Sequence, residues 1–113
     1  MEKSIKVYLQ DILDSIIKVE EYTTDKAVTK TGFLEDVQNQ DSVLRRLEII
    51  GEASKKIPQA FRRQHPQVPW KAMAGLRDVL IHGYDQVNIH RVWQVIVKDL
   101  PKLKTELLKI QEK

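Results

Sequence analysis

Pro69-Trp70-Lys71-Ala72-Met73-Ala74-Gly75-Leu76-Arg77-Asp78-Val79-Leu80-Ile81-His82-Gly83-Tyr84 holds a residue suited to open a helix, Pro69, and one suited to stop it, Gly83. Proline is tolerated in a first helical turn, and glycine just past a helix end takes backbone angles that other residues avoid. The spacing predicts a helix from Trp70 to about Ile81 or His82, with Met73, Leu76, Leu80 and Val79 facing inward. Around its end stand three side chains with chemistry. Arg77 is a permanent cation suited to phosphate, His82 exchanges a proton near neutral pH, and Tyr84 offers a hydroxyl that can be bonded or modified. The alternative reading has Arg77 as a surface charge, His82 as a helix-terminal residue favoured by the macrodipole, and Tyr84 as a core aromatic.

Outward from this stretch the pattern is helical throughout. Residues 2–22 place Ile5, Tyr8, Leu9, Ile12, Leu13, Ile16 and Val19 at the three- and four-residue spacing of an amphipathic helix, and Thr23-Thr24-Asp25 ends it. A polar connection is expected up to Gly32. A second helix is expected from about Phe33 to Ile57, starting nearer Asp41 if Gln38-Asn39-Gln40 interrupts it. Gly51 inside that helix costs about 1 kcal/mol against alanine, which close approach of another helix would explain. Pro58 is expected to open a short helix anchored by Phe61, and His65 to Pro69 to break it. Asn88 reads as the N-cap of a last helix striped with Ile89, Val92, Trp93, Ile96, Leu100, Leu103, Leu107 and Ile110, which Pro101 should kink or interrupt. Strand alternation, a glycine-rich phosphate loop and internal repeats are absent from the sequence. The expected fold is therefore all-α, a bundle of four main helices plus a short one, in a single domain over residues 1–113.

Composition narrows the chemistry. The chain has no cysteine, which removes disulfides, thiolate metal sites and a cysteine nucleophile. No apolar run approaches the roughly 20 residues of a membrane span, so a cytoplasmic protein is expected. The net charge of +3 is unevenly spread: residues 1–40 carry five Lys against eight acids, and residues 41–71 seven Lys or Arg against three. Arg45, Arg46, Lys55, Lys56, Arg62, Arg63 and Lys71 are candidates for an anion-binding surface beside the motif, or for a merely solvated helix face. His65, His82 and His90 show no zinc-ligand spacing, and no nucleophile elbow is present. His65 reads as a loop residue and His90 as a solvent-facing one. Glu52 is either a surface carboxylate or a partner for Arg77.

What remains open to Arg77 and His82 is phosphodiester chemistry without a metal or cofactor. On an ideal helix the two would stand about 140° apart, so they converge only if the helix frays, if Arg77 wraps round, or if a twofold dimer sets two copies opposite each other. The 2′-hydroxyl of RNA would be the nucleophile, His82 would exchange the proton and Arg77 would stabilise the charge on the phosphate.

Arg77, four residues, His82, one residue, Tyr84 resembles the signature of the HepT-like toxins, a branch of the HEPN nucleases. The likeness extends to Leu47-Glu48-Ile49-Ile50-Gly51-Glu52-Ala53, to Pro69 through Arg77, and to Val92-Trp93 with Asp99-Leu100-Pro101. The resemblance implies an all-α fold dimerising at the motif. It also implies a metal-independent ribonuclease that is the toxin of a type VII-like toxin–antitoxin pair. Arg77 and His82 match the catalytic pair. Tyr84 matches the residue that receives AMP from an MntA-type nucleotidyltransferase antitoxin. Asp78 stands where such proteins most often carry asparagine; it can accept hydrogen bonds and orient Arg77, but when ionised it repels phosphate. Two other readings stand beside this one: a non-catalytic helical partner modified by a nucleotidyltransferase, and an RNA-binding dimer without turnover.

Overall fold

A computed structural model describes residues 3–76, 78, 81, 82 and 86–111 of the chain, with the backbone alone for 81, 82 and 86. Helix α1, Lys3–Tyr22, buries Ile5, Leu9, Ile12, Leu13, Ile16 and Val19 along the expected stripe. It stops where the two threonines begin. Thr23 turns its hydroxyl back to donate to the Val19 carbonyl at 2.7 Å, and a short 3-10 turn, Thr24–Lys26, leads to Ala27 in the left-handed region at φ 54°.

The connection after α1 is more ordered than a polar linker. Thr29 accepts from the Gly32 N–H and caps α2, Lys30–Glu35, so Gly32 lies within a helix. The break before the next helix falls at Asp36, whose carboxylate caps α3, Val37–Lys55, by accepting from the Asn39 N–H. Gln38-Asn39-Gln40 is thus the first turn of α3 rather than an interruption. These polar side chains bind the ends of the preceding helices: Asn39 donates to the Tyr22 carbonyl at 3.0 Å, and Gln40 to the Phe33 and Leu34 carbonyls at 2.8 and 3.1 Å. Helix ends leave carbonyls without partners, and amide side chains satisfy them here. Val37, the first residue of α3, is 65% exposed.

Two short helices follow, α4 at Gln59–Gln64 and α5 at Trp70–Ala74, each opened by its expected proline. Arg62 of α4 reaches back and donates to the Ser54 carbonyl at 2.6 Å and the Ile57 carbonyl at 3.0 Å, closing the C-terminal end of α3. The chain finishes in one helical run: α6, Ile89–Gln94, a π-helical turn at Val95–Asp99, and α7, Leu100–Gln111. Pro101 has no N–H for the Val97 carbonyl. The run absorbs this by widening: the Leu100 N–H bonds the Val95 carbonyl five residues back, and Pro101 falls in the first turn of α7, where its N–H is not needed.

The core is one cluster built where α1 lies on α3, α3 on α5, α1 on α7, and α2 on α6. Among the described residues no helix is long and apolar enough to cross a membrane. The fold is all-α, with one small addition: Ile81–His82 (β1) and Gln86–Val87 (β2) pair antiparallel, Ile81 opposite Val87 and His82 opposite Gln86.

Gly51 shows why α5 lies where it does. A Cβ there would meet the Met73 carbonyl oxygen at 3.4 Å and that of Ala74 at 3.7 Å, so the end of α5 rests directly on the backbone of α3. One methyl fits that space and a larger side chain does not. Gly51→Ala should therefore leave stability unchanged or raise it by up to about 1 kcal/mol through helix propensity, while Gly51→Leu should cost about 1–3 kcal/mol by pushing α5 away. Urea unfolding of both variants is the measurement, and equal midpoints would refute the close approach.

Candidate active site

The segment with the candidate chemistry is held firmly on its N-terminal side. Trp70 and Met73 of α5 are buried, and the Trp70 indole N–H donates to the His65 carbonyl at 2.9 Å while its ring meets Phe61 edge-on, centroids 6.2 Å apart. Gly75 caps α5, its N–H donating to the Lys71 carbonyl at 3.0 Å. Leu76 and Asp78 remain helical, and Asp78 is exposed. The C-terminal side is anchored as well. Val87 and Ile89 pack against the core, and Asn88 caps α6 by accepting from the Arg91 N–H at 3.0 Å, as its side-chain chemistry predicts.

Between these anchors the structure departs from the helix expected up to His82. Ile81 and His82 are extended and paired with β2, so His82 is not a helix-terminal residue, and the 140° separation of an ideal helix does not apply to it. The local reason is legible afterwards: Val79 and Ile81 are β-branched, which lowers helix propensity and suits a strand. Arg77 and Tyr84 lie outside the described residues, as does the side chain of His82.

Glu52 is exposed and paired with Lys55 at 3.5 Å, in keeping with a surface carboxylate. His65 caps α4 with its ring 4.7 Å from that of Phe61, and His90 is exposed in the first turn of α6. Among the described residues no group of three or more His, Asp or Glu is placed to hold a metal ion.

The seven basic residues of the middle segment do not share one surface. Arg45 pairs with Glu48 at 3.9 Å and Lys55 with Glu52, while Lys56 lies over the Tyr8 ring at 5.7 Å; Arg45 and Lys56 border a depression that also holds Asp11, Glu48 and Glu52. Arg62, Arg63 and Lys71 border a different groove, on the side of α4 and α5. A third cavity, of about 550 Å³, opens beside Leu76 between α5 and the last helices; its walls include Ile50, Met73, Val95 and Leu103, and Arg91 and Asp99 at its edge are paired with each other at 3.5 Å. The capping role of Arg62 and the amide bonds of Asn39 and Gln40 were not readable from spacing. Their partners are backbone carbonyls, which leave no mark in a sequence.

Residues 12–110 match the model of the family described as ribonuclease HepT-like. The chain belongs to the HepT-like ribonuclease family. Among HepT-like relatives, a Methanocaldococcus jannaschii protein named "Gamma-glutamylcyclotransferase and putative RNase" is 49% identical over 112 residues, which cover 99% of this chain and 50% of that one. A Thermococcus cleftensis protein named "Probable ribonuclease HepT" is 44% identical over 112 residues, covering 99% of this chain and 100% of the other. The chain thus spans half the length of the first relative and all of the second. Among solved structures, the tri-AMPylated HEPN toxin of Shewanella oneidensis, in complex with MNT antitoxin, superposes with a TM-score of 0.72 at 21% identity, covering 100% of both chains. That likeness establishes the HEPN helical fold.

Proposed function

We propose that this chain is a ribonuclease toxin of the HepT type, a metal-independent endoribonuclease acting on transfer or messenger RNA in the cytoplasm. The observation that carries the reading is the 44% identity, end to end, with the protein named "Probable ribonuclease HepT", joined to Arg77, four residues, His82, one residue, Tyr84 in this chain. The 2′-hydroxyl of one nucleotide attacks the adjacent phosphorus and the bond to the 5′-oxygen breaks, leaving a 2′,3′-cyclic phosphate and a free 5′-hydroxyl. His82 takes and returns the proton, and Arg77 neutralises charge on the non-bridging oxygens. Asp78 orients Arg77 at the cost of some repulsion of the substrate phosphate. The 113 residues act as one domain, and a twofold dimer sets two motif segments across one cleft. A monomer by light scattering in the assay buffer would rule out that composite cleft.

The partner in this reading is an MntA-type nucleotidyltransferase antitoxin, in keeping with the AMPylated state and MNT partner of the Shewanella oneidensis toxin. The Tyr84 hydroxyl attacks the α-phosphorus of ATP, AMP is joined to the phenolic oxygen, and pyrophosphate leaves. The added phosphate cancels the positive field of Arg77 and obstructs the cleft. With radiolabelled ATP and the cognate nucleotidyltransferase, the wild-type chain should take up AMP and Tyr84→Phe should take up none; equal labelling would place the modification elsewhere. The nuclease itself is tested by incubating unmodified protein with total cellular RNA in EDTA. Cleavage on a denaturing gel is expected, and intact RNA would overturn the reading.

A further inference from the structure

The groove beside α4 and α5 measures about 810 Å³, and its lining includes Arg62, Arg63, Pro66, Pro69, Lys71 and Ala72. Among the described residues three cations border it and no carboxylate does. Away from the groove, Lys18, Arg45, Lys55, Arg91, Lys104 and Lys109 each form an ion pair within 4.0 Å, whereas cations such as Lys3, Lys6, Lys98 and Lys102 stand singly among the described residues. The groove differs in gathering three cations at one concave surface. Arg63 and Lys71 are exposed and, among the described residues, pair with no acid. Arg62 is held in place by the Ser54 and Ile57 carbonyls, so its charge is fixed at the groove wall. The floor between these cations is largely apolar, from the two prolines and Ala72. A positive rim over an apolar floor suits a single nucleic-acid strand, whose phosphates want cations and whose sugars and base faces do not.

Position favours RNA over an acidic protein. Lys71 stands six residues before Arg77, so no more than about 22 Å of chain separates them even if fully extended. We propose that this groove is a second contact for the RNA backbone: it grips phosphates of the strand that leaves the Arg77 and His82 site, through Arg63 and Lys71, with Arg62 as the fixed charge behind them. The proposal rests on the ribonuclease reading. Phosphate contacts of this kind set the register of a strand and carry no base identity.

The probe is a fluorescein-labelled oligouridylate of about 12 nucleotides, within the span of known single-strand grooves, with 2′-O-methyl sugars that cannot be cleaved. Its binding to the full chain is followed by fluorescence anisotropy over a series of salt concentrations. Arg63→Gln with Lys71→Gln should weaken binding roughly tenfold or more at moderate salt, and should lower the slope of log K against log salt by about 1.4, two single-strand phosphates' worth. Lys3→Gln with Lys6→Gln removes the same charge from α1, outside the groove, and should leave the slope near that of wild type.

An unchanged slope in the groove variant, or an equal drop in the α1 variant, would overturn the proposal. So would groove-dependent binding of a poly-glutamate peptide without binding of the oligouridylate, which would assign the groove to an acidic polypeptide. Thermal unfolding checks that the variants fold, and the single exposed substitution Lys71→Gln, expected to lower the slope by about 0.7, replaces the double if they do not. Cleavage of cellular RNA with wild-type binding by the groove variants would sink this inference alone; no cleavage and no probe binding would sink the ribonuclease reading with it.

Discussion

Replacing His82 with alanine should lower RNA cleavage by about 10²- to 10⁴-fold, the usual contribution of a general acid–base. The change should be one of chemistry and not of folding. His82 belongs to β1, whose pairing with Gln86 is made by the backbone, which alanine also supplies. Circular dichroism and the unfolding midpoint should accordingly match wild type. The kinetics carry a second signature. A proton exchanged only in the transition state lowers kcat and kcat/KM together, whereas a phosphate grip that holds substrate and transition state alike acts on KM. His82→Ala should show the first pattern, and the groove variant at Arg63 and Lys71 the second. The assay is run in EDTA on a defined cleaved RNA, and a His82→Ala protein as active as wild type would remove His82 from the mechanism.

Truncating Phe33 to alanine should destabilise the chain by about 3–5 kcal/mol, the range for a large aromatic lost from a closed core. Phe33 is 0% exposed, and its ring lies 5.4 Å from that of Trp93 at 37°, joining α2 to α6. Its carbonyl accepts from Gln40, so the same residue ties α2 to the first turn of α3. A domain this small holds only about 5–15 kcal/mol in all, and the melting temperature should fall by something on the order of 15 °C. Phe33→Leu, which keeps most of the volume, should cost far less. A melting temperature for Phe33→Ala within two or so degrees of wild type would show that the core closes over the gap. The effect bears on function because α6 and Asn88 anchor the C-terminal side of the motif segment.

Several elements were readable without coordinates, because each rests on short-range chemistry. The apolar stripe of α1, the prolines opening α4 and α5, the Asn88 cap and the end of α1 at Thr23 all depend on residues within a turn or two of one another. Gly51 was a sound signal too: an unfavourable residue in a helix pointed to close packing, and α5 provides it. The motif itself is a spacing in the chain, and so is the family likeness built on it.

The sequence by itself determined the helical class, most helix starts, the buried stripes and the membership that makes Arg77, His82 and Tyr84 the candidates. Only the tertiary structure decided where the helix after Trp70 gives way, since Ile81 and His82 are extended through pairing with Gln86 and Val87, a cross-strand contact that helical periodicity does not register. It alone showed that Lys56 lies over the Tyr8 ring, that Arg62 closes the end of α3, and that Arg63 and Lys71 stand beside Arg62 on one groove. Arg45 and Lys55 meet carboxylates three residues away on α3 itself, a local helical spacing. The reach of Arg62 to the end of α3, and the meeting of Arg62, Arg63 and Lys71 on one groove, depend instead on how α4 and α5 are packed against the core. It alone showed Pro101 accommodated by a π-helical turn, because the run on either side is held by burial of Val92, Val95, Ile96, Leu100 and Leu103, whose apolar contacts outweigh one missing backbone hydrogen bond.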